Sequence, residues 1–160
     1  MKTEVSTEVN TEVSTKAKKP AELERVTPVE WEALLLRMFE RIAQEPRCVP
    51  ILRDIGRINF QLQLEDRPEL SYWEEYLGDR IIPHLGTADE YAVVAATTFS
   101  AFVGTLLRRI SIMEAAADEI WTLRGDTAAL MRCANLLPYV MNTFADVARE
   151  QYSTWEGDPL

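Results

Sequence analysis

The chain has 160 residues, 47% of them hydrophobic, with 17 basic against 26 acidic side chains and a net charge of −9. That is enough for one domain with a real core and too little for two. The acidic balance argues against nucleic acid, whose phosphates need a basic patch, and equally against an anionic membrane surface.

Residues 1–20 repeat Thr-Glu-Val at positions 3, 7 and 11 and end in a lysine cluster before Pro20. With no large side chain to bury, this segment cannot offset the entropy of ordering. Residues 1–26 are therefore expected to form a disordered low-complexity tail, residues 27–150 the domain, and residues 151–160 a flexible tail. Thr27, Pro28 and Glu30 form a helix start with a capping box, and Trp31, Leu34, Leu35, Met38 and Ile42 lie on one helical face that Pro46 closes. A short helix is predicted from Pro50 to Ile55, ending at Gly56.

The period then changes from helical to alternating. Ile58, Phe60, Leu62 and Leu64 alternate with polar neighbours, which predicts a strand over 57–64 with four apolar side chains facing a core. Asp66-Arg67-Pro68 makes a turn, Leu70 to Leu77 a second strand, Gly78-Asp79 a hairpin turn, Arg80 to Leu85 a third strand and Tyr91 to Ala96 a fourth. Thr97 or Thr98 caps a helix carrying Phe99, Phe102, Val103 and Leu106 on one stripe. Ser111 and Glu114 cap a short helix through Ala117, Glu119 to Arg124 is the last strand, and a long terminal helix begins at Asp126 or Thr127. This order predicts an α+β domain with a largely antiparallel sheet covered on one face by helices.

Few residues invite chemistry. His84 is the only histidine; it has no Cys or second His nearby, so no metal site is expected, and Asp79 or Asp89 would have to be its partner as a general base. Its plainer place is at the rim or surface. Glu74 and Glu75, among Tyr72, Trp73 and Tyr76, are the most suggestive carboxylates. Strand neighbours face opposite ways, so only one of the two can enter a pocket, and burial would raise its pKa toward values useful for proton transfer. The plainer reading is a polar edge strand with its charges in water. No phosphate loop, nucleophile elbow or His-Glu-x-x-His pattern is present, and no cofactor is expected. Gly125-Asp126 reads as a turn and a helix cap. Cys48 and Cys133 read as buried thiols in a reducing compartment. No apolar run approaches the roughly 20 residues that span a bilayer, and the first residues lack a secretion segment, so the expected location is a cytoplasm.

The terminal segment is more apolar than one helix face requires. Leu130, Cys133, Ala134, Leu137, Met141, Phe144, Ala145 and Ala148 share a face, yet Met131, Leu136, Tyr139, Val140 and Val147 extend the apolar surface around the cylinder. Pro138 is expected to bend or loosen the helix in its middle. Two readings stand: a fully buried or dimer-forming helix, or a pliable cover over an apolar cavity, in which Met131 and Met141 adapt to a ligand.

The succession Ile58-Asn-Phe-Gln-Leu-Gln-Leu64, the strand with Tyr72 and Trp73, Ala88 to Ala96 leading into Phe99-Ser-Ala-Phe-Val-Gly104, and Leu123-Arg-Gly-Asp126 before an apolar helix resembles the sterol carrier protein type 2 domain. Leu136 to Phe144 is similar to small bacterial stand-alone members, and the resemblance spans residues 29–150. Each motif is a packing pattern; the specificity lies in their order and spacing. The resemblance implies a five-stranded sheet and a hydrophobic tunnel that binds fatty acyl chains, acyl-CoA, sterols or related lipids without chemistry. Carried over by position, Phe99, Phe102, Val103 and Leu106 form one wall, Met113 lies near its end, and Leu130, Ala134, Leu137 and Met141 close it. Asp118-Glu119 replaces a glycine common before the last strand. The strand Trp73 to Tyr76 is more aromatic and acidic than usual, favouring a smaller or more polar ligand than a sterol. The ending Gly-Asp-Pro-Leu160 is unlike a peroxisomal address.

Three functions compete. The first is a non-enzymatic carrier of a hydrophobic small molecule. The second is an enzyme or accessory protein acting on a hydrophobic biosynthetic intermediate, with Glu74 or Glu75 as acid or base. The third is a module that homodimerises through the terminal helix.

Overall fold

The computed structural model describes residues 23–151. Most of the two expected tails lies outside this range. Of the first, residues 23–26 are described, and Leu23 and Val26 are buried in the core. Arg67 holds them there by donating to the carbonyls of Glu24 and Val26 at 2.7 and 2.8 Å.

Helix α1 (Pro28–Gln44) starts at the predicted capping box, with Thr27 and Glu30 each accepting from the other's backbone N–H. It buries Trp31, Leu34, Leu35, Met38, Phe39 and Ile42. A 3-10 turn, Pro46–Cys48, leads to α2 (Val49–Ile55). The strands β1 (Arg57–Leu64), β2 (Tyr72–Leu77), β3 (Ile81–Leu85), β4 (Val93–Thr97) and β5 (Thr122–Gly125) form one sheet in the order β3-β2-β1-β4-β5. Only β1 and β4 pair in parallel. The fold is α+β with a mixed, mostly antiparallel open sheet. Helices α3 (Phe99–Leu106), α4 (Ile112–Ala117), α5 (Thr127–Ala134) and α6 (Leu137–Gln151) complete it.

Several boundaries differ from the sequence reading, each for a local reason. Leu70 belongs to a 3-10 turn (Pro68–Leu70), so β2 begins at Tyr72. Tyr91 is exposed and precedes β4. Glu119 takes φ 54° at the end of α4, a left-handed conformation that no strand accommodates, and β5 begins only at Thr122. Gly125, with φ 121°, is required where it stands, because a Cβ there would lie 2.2 Å from the carbonyl oxygen of Ala92. Asp126 then caps α5 by accepting from Ala128 and Ala129 N–H at 2.9 and 3.3 Å.

The predicted long terminal helix is two helices. The amides of Asn135 and Leu136 bond three residues back, to Arg132 and Cys133, which tightens and ends α5. Pro138 is the second residue of α6. In that first turn its missing N–H costs nothing, so it starts a helix rather than bending one. The break divides the apolar surface: α5 buries Ala129 and Cys133 and α6 buries Met141, Phe144, Ala145, Val147 and Ala148, while Met131, expected to adapt to a ligand, is exposed.

Candidate functional site

Strand β2 decides the site through its period of two. Tyr72, Glu74 and Tyr76 point inward under the helices, while Trp73 and Glu75 point outward. Because β2 lies between β3 and β1, it is not the edge strand that the plainer reading assumed, and Glu74 is buried rather than solvated. Its two carboxyl oxygens accept from the hydroxyls of Tyr72 at 3.0 Å and Tyr76 at 2.8 Å. Burial pushes this carboxyl up to about 7 against the downward pull of the two hydroxyls. Both tyrosines are held well above the usual phenol range, first by burial and then by the charge of Glu74. Cys133 of α5 lies beside the group, its thiol pushed up to about 12 by burial and by the same carboxylate. A thiol so placed is a poor nucleophile.

The rest of the inner layer is apolar. Trp31 stands at its centre, with ring centroids 5.2 Å from Phe99, 5.8 Å from Phe102 and 6.3 Å from both Tyr72 and Phe144. All four meet it edge to face, an arrangement that favours aromatic quadrupoles. The indole N–H donates to the carbonyl of Leu70 at 2.9 Å, so no polar group is stranded. The backbone N–H of Phe99 donates to Asp66 at 2.8 Å, and the Arg67 guanidinium lies 5.4 Å over its ring, so the predicted turn at 66–68 anchors α3.

The expected ligand-contacting residues distribute unevenly over this layer. Phe99, Phe102, Val103 and Leu106 are buried on α3, and Met141 is buried on α6. Leu130 and Leu137 are half-buried, Ala134 is exposed, and Met113 is 79% exposed on α4. On α5 the inward positions are Ala129 and Cys133, and Leu136 in the connection is fully buried. Two surface grooves are present, the second of them reaching Ile58 and Tyr76. One of about 300 Å3 runs between α1 and β3, lined by Leu36, Phe39 and Ile82 among others. The other, about 380 Å3, involves Arg57, Asn59, Glu75, Glu90 and Tyr91.

On the outer face His84 finds neither Asp79 nor Asp89. Its Nε2 lies 2.9 Å from Glu75, and its ring stacks on Trp73 with centroids 4.2 Å apart. Both members of the pair are more than a third exposed in their side chains, 38% for His84 and 36% for Glu75. Next to them Gln61, expected on a polar face, is fully buried. Its amide donates to the carbonyls of Tyr72 and Gly86 and accepts from Ala88 N–H, pinning residues 86–88 across the outer face.

The sequence placed Glu74 and Glu75 on opposite faces of β2 but did not say which faces inward, and it missed the pairing of Glu75 with His84. The Tyr-x-Glu-x-Tyr alternation carried the signal for the two faces. Nothing in the local pattern pointed to Trp31 as the centre of the layer or to Cys133 as the neighbour of Glu74, because both contacts join segments far apart in the chain.

No family model and no curated protein sequence matches the chain. Solved structures do. The chain is similar to a structure described as UbiJ-SCP2 Ubiquinone synthesis protein, with 13% identity, a TM-score of 0.53, and coverage of 66% of this chain and 89% of the other. It also aligns with sterol carrier protein domain 2 of Helicoverpa armigera (9% identity, TM-score 0.49, covering 66% of this chain and 83% of that one). A third match is sterol carrier protein 2 of Yarrowia lipolytica (9% identity, TM-score 0.48, 70% and 88% covered). The first of these carries the assignment: the fold is sterol carrier protein 2-like.

Proposed function

We propose that the protein binds a hydrophobic small molecule, such as an acyl chain, an acyl-CoA or a sterol-like lipid, between the inner face of the sheet and helices α3, α5 and α6. It holds or presents this molecule without changing it covalently. The observation that supports this reading best is the cover. Helix α5 has eight residues and anchors itself on the layer through two small side chains, Ala129 and Cys133, next to large aromatic groups. Such a helix gives up little buried area when a ligand displaces it, whereas each methylene of an entering chain contributes about 0.8 kcal/mol. The sterol carrier protein 2-like fold is consistent with this use.

Native mass spectrometry of the full chain purified under mild conditions tests the proposal. A co-purifying apolar molecule, or displacement of a fluorescent fatty acid by added acyl-CoA, is the expected result. Absence of both overturns it.

A second reading is favoured by Glu74. A buried carboxyl pushed up to about 7 can hold or release a proton near neutrality, as an acid or base acting on a hydrophobic intermediate would. The description of the similar structure as a ubiquinone synthesis protein also fits an accessory role in a biosynthetic route. On this reading Glu74→Gln abolishes turnover of the intermediate while folding and binding persist. Glu75→Gln leaves turnover intact, since Glu75 faces away from the layer.

A further inference from the structure

Glu74 occupies an unusual place in the sheet. Its register partner on β1 is Phe60 and on β3 is Pro83, and Phe60 is in turn paired with Val93 of β4. An apolar side chain at position 74 would complete this row, and burying a carboxyl there is costly unless it is well paired. Yet the only hydrogen bonds Glu74 receives come from Tyr72 and Tyr76, and no cation lies against it among the described residues.

We propose that Tyr72, Glu74 and Tyr76 form a polar subsite that takes the hydroxyl end of an otherwise apolar ligand and rejects lipids that end in a carboxylate. This rests on the sheet-to-helix layer being the ligand-binding region. The valences of the trio point to that class. Each tyrosine spends its single hydrogen on Glu74, so within the trio the phenol oxygens and the carboxylate retain acceptor positions but no free donor, and the only other donor beside them is the weak S–H of Cys133. A ligand hydroxyl supplies the missing donor. A ligand carboxylate supplies only acceptors and a second negative charge in a low-dielectric site.

No salt bridge or hydrogen bond to a cationic side chain is made by Glu74 among the described residues. From α5, Cys133 faces the trio, and the charge of the adjacent Arg132 bears on that thiol. Over this region lies the short helix α5, whose buried side chains are the small Ala129 and Cys133.

The test compares two probes with the same tail, a pyrene-labelled long-chain alcohol and the matching carboxylate, titrated into the full chain at about pH 8, where a carboxyl with a pKa near neutrality is mostly ionised. The alcohol is expected to bind about tenfold or more tightly than the carboxylate, tenfold being about 1.4 kcal/mol. Glu74→Gln keeps the shape and removes the charge, so the preference should fall to within about twofold, chiefly by strengthening carboxylate binding. Tyr76→Phe provides a second variant: losing that donor leaves Glu74 more readily protonated, and the preference should shrink at least about threefold. Glu75→Gln should leave it unchanged. Equal affinities in the unaltered chain, or an unchanged preference in Glu74→Gln, overturn the subsite while the binding layer stands. Failure of both probes to bind overturns the subsite and the layer together.

Discussion

Glu74 and Glu75 are adjacent in the chain, and β2 sends them to opposite faces of the sheet. The inward carboxyl loses its water, gains two tyrosine hydroxyls and is pushed up to about 7. The outward one keeps much of its exposure and pairs with His84, whose ring lies on Trp73. Identical side chains one residue apart thus become a desolvated, neutralisable group and a partly exposed hydrogen-bond partner of His84. Position relative to the helices, rather than residue type, determines which of them has chemistry to offer.

The contrast is sharpest in packing. Tyr72→Ala should cost about 3–5 kcal/mol, because it empties a site against Trp31 and Phe102 and leaves Glu74 without one of its donors. Trp73→Ala, on the outer face, should cost less, about 1–2 kcal/mol, since that ring is only partly buried and its stacking partner is His84. Denaturant unfolding of the two variants makes the comparison, and equal losses would erase the distinction between the faces.

Titration breaks or sustains the contrast next. The folded-state pKa of Glu74 lies near 7, above its ordinary 4.5, so the folded state retains a proton that the unfolded chain releases. Stability from this group is greatest below pH 4.5 and is lost as pH rises through about 7, by about 3 kcal/mol in total at 1.36 kcal/mol per unit. Stability curves of the unaltered chain and Glu74→Gln should therefore diverge across that window, with the variant flatter. Subtracting the two removes the opposite slope of the carboxylates Glu45, Glu69 and Glu150, whose pKa values are lowered by their arginine partners.

Gln61 refines the comparison, because it belongs to the outer face and is nonetheless buried. Gln61→Leu should cost about 2–3 kcal/mol in denaturant unfolding, as it strands Gly86 and Tyr72 carbonyls and the Ala88 N–H. The smallest effect belongs to the half-exposed pair: Glu75→Gln or His84→Gln should change stability by less than about 1 kcal/mol, measured the same way. A larger loss would mean that the outer face is as tightly coupled as the inner one.

Much of the fold was legible. The capping boxes at Thr27 and Ser111, the alternation in β1, the hairpin at Gly78 and the turn at Gly125-Asp126 are each governed by neighbours within a few residues, and each stands where the sequence places it. The site was legible only in part. That Glu74 and Glu75 would part company followed from strand geometry, but which of them would be buried depended on which face of the sheet the helices cover. The terminal segment was misjudged as one bent helix, because the hydrophobic pattern alone does not say that Asn135 and Leu136 close it with three-residue bonds.

Composition, periodicity and turn chemistry by themselves determined a mixed α+β chain with one buried sheet face and an apolar C-terminal cover. Those are short-range properties, set by backbone sterics and by the spacing of apolar side chains. Tertiary structure alone decided that Trp31 centres the layer, that Cys133 meets the Tyr72, Glu74 and Tyr76 trio, and that Gln61 is dry. Burial and desolvation depend on what packs across from a residue, and the segments that pack here come from distant parts of the chain.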